Sequence, residues 1–214
     1  SKTNFYAPAS EFSSYTGTWY CLSPCLTAGT ATVAFRIADP RLTIKVEDST
    51  VGVDVTANKW IYRGDEAKFR IETNLYTMAE RPGVAATAPP VTIKVQTPDG
   101  AILTSLVNAA GTQNSLVDIP VATSPYTTAA FWDTGNALYA PGTYTIWAEC
   151  NANGMKDNYN VEGKTVSVKL PMTVTEFNPL IKTGTPTPAS TPKATTQATT
   201  APPVTTVVTT AGTT

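Results

Sequence analysis

Alternation of apolar and polar residues dominates the chain. Residues 42–48, LTIKVED, set Leu42, Ile44 and Val46 against Thr43, Lys45 and Glu47. Residues 67–73 set Phe69 and Ile71 against Lys68, Arg70 and Glu72. Residues 91–96 set Val91, Ile93 and Val95 against Thr92, Lys94 and Gln96, and stop at the turn sequence TPDG. Residues 143–150 set Tyr144, Ile146, Ala148 and Cys150 against Thr145, Trp147 and Glu149. Residues 165–174 set Val166, Val168, Leu170, Met172 and Val174 on one side. A period of two means strands with one buried and one wet face. Shorter strand candidates lie at 51–56, 101–106, 115–121 and 127–132. Pro171 falls on the outward side of the last strand, which suggests an edge. No window holds a capped period of 3.6, so no helix is predicted.

Many short strands joined by Gly, Pro, Asn and Asp turns predict an all-β fold, an antiparallel immunoglobulin-like sandwich. The segment APGTYTIWAEC adds a Pro-Gly turn and a tyrosine at a strand start. Tyr144 there matches a tyrosine corner, in which the hydroxyl ties back to nearby backbone. The pattern divides the chain into residues 1–40, a β segment packing on the main domain; 41–177, the sandwich; and 178–214, a stalk or linker. Trp147 points away from the apolar side of its strand, and residues 1–40 are expected to cover it.

From Thr183 onward threonine and proline recur and Lys193 is the one charged residue. Such a segment cannot bury enough apolar surface to offset the entropy of ordering it. It reads as an O-glycosylated stalk, with Thr195, Thr196, Thr199, Thr200, Thr205, Thr206 and Ser190 as acceptors. The Val-Thr-rich run PPVTTVVTT within it could add as a strand to a neighbouring sheet edge. No Asn lies two residues before Ser or Thr, so N-glycosylation is not predicted.

Composition narrows the function. Only 14% of residues are charged and the net charge is −1, so no basic field draws in nucleic acid or anionic membrane. Histidine is absent, which removes the commonest proton shuttle and metal ligand and lowers the expectation of catalysis. The three cysteines are Cys21, Cys25 and Cys150. Cys21 and Cys25 are disulfide candidates at a spacing that fits neither a redox CxxC pair nor a zinc knuckle. Cys150, in an apolar strand, reads as a small buried hydrophobe. The chain holds neither a signal peptide nor a run of about 20 apolar residues; targeting and anchoring segments are expected to lie outside it.

Candidate chemistry is thin. In and just after NANGMKDNY, the oxygens of Asn151, Asn153, Asp157, Asn158 and Glu162 could serve calcium as a cofactor, although Asn-Gly is itself a turn signal and a polar hairpin explains the run. The DTG triplet at Asp133 has no second copy to complete an aspartic dyad; a loop aspartate capping backbone N–H groups explains it. Trp19, Tyr20, Trp60, Tyr62, Tyr76, Trp132 and Tyr139 could stack on sugars, although packing is the commoner use of such rings.

The ordered motifs GTWY (17–20), ADPRLTIKV (38–46), FRIETNLY (69–76), IKVQTPDG (93–100), SPY (124–126), FWDTGNALYAPGTYTIWAECNANGMKDNY (131–159) and GKTVS (163–167) give a further lead. Over residues 5–176 the chain resembles a family of uncharacterised cell-surface proteins of methanogenic archaea. The resemblance implies a β-rich ectodomain on a Thr/Pro spacer and a place in the envelope, in a surface layer or sheath; it implies no activity. The chain departs from that pattern in lacking the family's first segment, signal and anchor, and CLSPC is not a family feature. The expected function is a non-enzymatic structural or interaction protein, extracellular at the cell surface. Its expected partners are itself, other envelope proteins and glycans, with membrane attachment only through an anchor outside the chain. The alternative is an adhesin or carbohydrate-binding module.

Overall fold

The computed structural model describes residues 9–12, 14–21, 31–80 and 88–177. In chain order these hold α1 (Ala9–Phe12), β1 (Gly17–Cys21), β2 (Thr32–Ile37), β3 (Leu42–Asp48), β4 (Val53–Asp54), β5 (Trp60–Arg63), β6 (Glu66–Thr73), β7 (Pro90–Gln96) and β8 (Ile102–Leu103). There follow β9 (Ser105–Val107), β10 (Gln113–Ser115), β11 (Ile119–Pro120), β12 (Tyr126–Thr127), β13 (Trp132–Asp133), β14 (Gly142–Cys150), α2 (Met155–Asn158) and β15 (Leu170–Phe177). Short 3-10 turns cover Leu75–Glu80 and Ala152–Gly154. The fold is all-β. Compact packing separates Ser1–Ile181 from Lys182–Thr214, and the whole of the second unit lies outside the described residues.

Two sheets carry most of the strands. One runs β11-β7-β14-β15-β5, with β8 also on β7; the other runs β12-β6-β3-β4, with β13 also on β6. The alternation read from the sequence is realised in β3, β6 and β7, whose burial alternates residue by residue. Their inward rows face one another. Leu42, Ile44, Val46, Phe69 and Ile71 from one sheet join Val91, Ile93, Val95, Ile146 and Met172 from the other in a single apolar core. Such residues are felt through every methylene they lose, because interiors are packed like crystals. On the outer face of the β3–β6 pair the alternate residues form a ladder of ion pairs. Lys45 and Arg70 both reach Glu72, at 3.1 and 3.0 Å, and Lys68 reaches Glu47 at 3.3 Å. That face is built to meet water.

Trp132 fills the end of the core. It is fully buried, with Tyr144 edge-on at 4.9 Å and Tyr139 edge-on at 6.1 Å. The Tyr144 hydroxyl donates to the Ala140 carbonyl, four residues upstream, at 2.7 Å. This is the backbone tie suggested by the Pro-Gly-x-Tyr sequence, and it fixes the turn that enters β14. Replacing Tyr144 by Phe keeps the ring and removes one neutral hydrogen bond. The expected loss is about 1 kcal/mol in urea unfolding, with the slope unchanged.

Several sequence expectations are corrected. The last strand was expected over 165–174 with Val166 and Val168 inward; it spans Leu170–Phe177, and Val168 is exposed. Thr165 and Ser167 are buried instead. The reason is hydrogen bonding. The Cys150 N–H donates to the Thr165 carbonyl at 2.9 Å, and the Ala148 N–H donates to Ser167 Oγ at 2.9 Å. Two polar residues thus complete the edge of β14 where a regular strand would have placed valines.

The sheet is also not purely antiparallel, because β15 pairs in parallel with β5. That puts β15 between two neighbours. Pro171 is tolerated there because β5 begins to pair only at Thr173, whose N–H reaches Lys59 O at 2.9 Å. With a period of two, the missing N–H of Pro171 points to the same side, past the end of β5. Short helices were not expected, yet α1 and α2 form. The run read as a polar hairpin turns through Asn153 and Gly154, both left-handed at φ 54° and 70°, into α2.

Candidate functional site

Strands β1 and β2 form an antiparallel ribbon of their own, apart from the two sheets. Sequence alternation at Val33, Phe35 and Ile37 predicts a buried face. The structure places the opposite: Val33 and Tyr20 are each 56% exposed and Trp19 is 38% exposed. Trp19 stacks on Phe35 across the ribbon at 5.7 Å, with Phe12 edge-on at 6.0 Å, and donates its indole N–H to the Tyr15 carbonyl at 3.1 Å. Trp19 and Phe35 therefore support one another at the surface. The ribbon carries one charged residue, Arg36. Cys21 is disulfide-bonded; Cys25 lies outside the described residues. A two-stranded ribbon is marginal by itself in water, and this one presents rings on the outside.

Residues 1–40 were expected to cover Trp147. Trp147 is buried to 7% exposure on the outer face of β14, beneath the Lys169 ammonium at 4.9 Å from its ring. Its indole N–H donates to Glu149 Oε1 at 2.7 Å. Lys169 makes a cation–π contact with the ring.

The proposed calcium residues are partly brought together. Asn151 Nδ2 donates to Asp157 Oδ2 at 2.9 Å, while Asn151 Oδ1 accepts from the backbone N–H groups of Lys156 at 2.9 Å and Asp157 at 3.3 Å. Asn151 thus spends both ends of its amide ordering the start of α2. Asn153 is set by its left-handed backbone and shares neither contact. Among the described residues no three His, Cys, Asp or Glu side chains gather as a metal cluster.

Glu149 anchors this corner. Burial works to raise its pKa, but hydrogen bonds from Lys156 Nζ at 2.5 Å and from the Trp147 indole outweigh it and hold the carboxyl below its ordinary value. A depressed folded-state pKa gives stability that is present above the ordinary value of 4.5 and is lost as pH falls through the folded value. The melting temperature of Glu149→Gln is expected below that of the wild type at pH 7. The gap should close on acidification below 4.5, as calorimetry across pH would record.

The DTG triplet is a corner. Asp133 Oδ1 accepts the Gly135 N–H at 2.9 Å. The buried Thr134 hydroxyl accepts the Gly64 N–H at 3.0 Å and lies 2.7 Å from the Asp65 carbonyl, to which it donates. A Cβ at Gly135 would come within 2.9 Å of the Gly64 backbone, so the glycine is there for close approach. Cys150 is free and fully buried, and burial pushes its thiol pKa up, which leaves it unreactive. The tail threonines Thr195, Thr196, Thr199, Thr200, Thr205 and Thr206 lie outside the described residues. Among those described, no helix is long and apolar enough to cross a membrane.

What fold and surface define is an all-β protein that presents an aromatic ribbon outward. Residues 1–157 match the family described as a domain of unknown function (DUF3821), and the chain belongs to that family. Strand β15, which closes the sheet between β14 and β5, lies beyond the matched residues. No curated protein matches, and no solved structure matches.

Proposed function

We propose that this chain is a non-enzymatic interaction protein of the archaeal cell envelope, with an immunoglobulin-like sandwich head that associates with further copies of itself. The observation that carries the reading is the β1–β2 ribbon, whose rings face outward on an element of low intrinsic stability. A single shared core and the Tyr144 tie support the sandwich reading. Apolar rings in water gain roughly 25 cal/mol per Å² when covered. With one charge on the ribbon, a second copy can approach without like-charge repulsion. The Thr/Pro composition after Thr183 suits a spacer that holds the head away from an anchor. The glycan-binding alternative would use the same rings as stacking platforms, but their mutual stacking favours packing.

Light scattering and negative-stain microscopy over a concentration series test this. Growth of ordered assemblies with concentration is expected. A particle that stays monomeric into the millimolar range contradicts the proposal.

A further inference from the structure

A cleft of ≈ 270 Å³ lies on the outer face of the six-stranded sheet, and no ribbon residue lines it. Register explains its shape. Thr92 on β7 stands opposite Glu149 on β14, and Lys94 stands opposite Trp147. The Val117–Asp118 segment, just before β11, lies along the other side of β7. Thr92 is thus the floor and Lys94 one end. Asp118 forms one wall; Glu149 and Lys156 form the other.

The polar groups are preset. Asp118 sits in the left-handed region at φ 54°, and its N–H donates to Thr92 Oγ1 at 3.2 Å. Glu149 is fixed by the Trp147 indole at 2.7 Å and by Lys156 Nζ at 2.5 Å. Asn151 holds the backbone of Lys156. Each Glu149 oxygen accepts one of these bonds and keeps a second lone pair, and Glu149 lines the cleft. Among the described residues neither Lys94 nor Asp118 makes an ion pair. The two lysines and two carboxylates cancel, so the cleft has donors and acceptors on facing walls and no net charge.

We propose that this cleft binds one neutral, hydroxyl-rich ring, a single saccharide unit. Each hydroxyl of such a ligand both donates and accepts. It can donate to Asp118 or Glu149 while accepting from Lys94 or Lys156. Neutral ligands meet no unbalanced charge there, and the volume, below the roughly 300–1,000 Å³ of small-molecule sites, limits the occupant to one ring. Glu149, held ionised with both oxygens engaged, is poorly suited to donate a proton to a leaving group, so the site is a binding site. It is independent of the ribbon and of self-association.

The test is saturation-transfer NMR followed by titration of the full chain. The probes are the methyl pyranosides of glucose, galactose and mannose, with glycine as a zwitterionic probe. Saturable binding of at least one glycoside is expected. Lys94→Met and Asp118→Asn should each weaken it at least ten-fold; Asn tolerates the left-handed backbone at position 118. Lys45→Met, on the other sheet, should leave it unchanged, and circular dichroism should show every variant folded. Failure of all three glycosides to saturate overturns the proposal. So does binding of glycine alone, or binding unaltered in both cleft variants.

Discussion

Trp132→Ala is expected to be the most damaging single change within the sheets. The ring is fully buried, and Tyr139 and Tyr144 pack edge-on against it from two directions. Its removal leaves a cavity that Tyr144 cannot fill, because its hydroxyl is tied to Ala140. A buried tryptophan cut to alanine costs about 3–5 kcal/mol, a large share of the roughly 5–15 kcal/mol that holds a domain together. Urea unfolding should show the midpoint fall accordingly. Trp132→Phe should cost much less. The Trp132 indole N–H is buried with no hydrogen-bond partner, so phenylalanine loses volume but no bond. If the two variants prove equally destabilised, the packing account of this corner is wrong.

The second large effect is on assembly. Trp19→Ser combined with Tyr20→Ser removes two exposed rings from β1. Aromatic residues at the centre of an interface carry 2 kcal/mol or more each when truncated, so association should weaken at least about thirty-fold per ring. Sedimentation velocity should show a shift to monomer at concentrations where the wild type assembles. The melting temperature should hardly move, because neither ring belongs to the core. A double variant that assembles like the wild type removes the ribbon from the interface.

How much of this was legible in the sequence depends on the residue. Strands β3, β6, β7 and β14 could be read because each alternates for six residues or more, long enough for the period to stand out. Strand β5, four residues of Trp-Ile-Tyr-Arg, was too short for a period, and its parallel pairing with β15 has no local signature. Thr165 and Ser167 were misread because alternation counts side chains, whereas backbone N–H and C=O groups decided the pairing there. The ribbon defeated the rule altogether. Val33 and Phe35 alternate as core residues do, yet both are exposed, since a period says which residues share a face and not what covers it. The Asn151–Asp157 cluster was found, but its amide oxygen turned out to hold the backbone N–H groups of Lys156 and Asp157. The cleft was invisible, because it joins residues 92–94, 117–118 and 149–156, which only the sheet order brings together.

Hydrogen exchange of the full chain at low and high protein concentration reports most directly on whether the ribbon is where copies meet. Slower exchange at high concentration is expected in residues 17–21 and 32–37, whereas 91–96 and 143–150, already locked in the sheet, stay as they were. Exchange that ignores concentration, or slows only elsewhere, would contradict it.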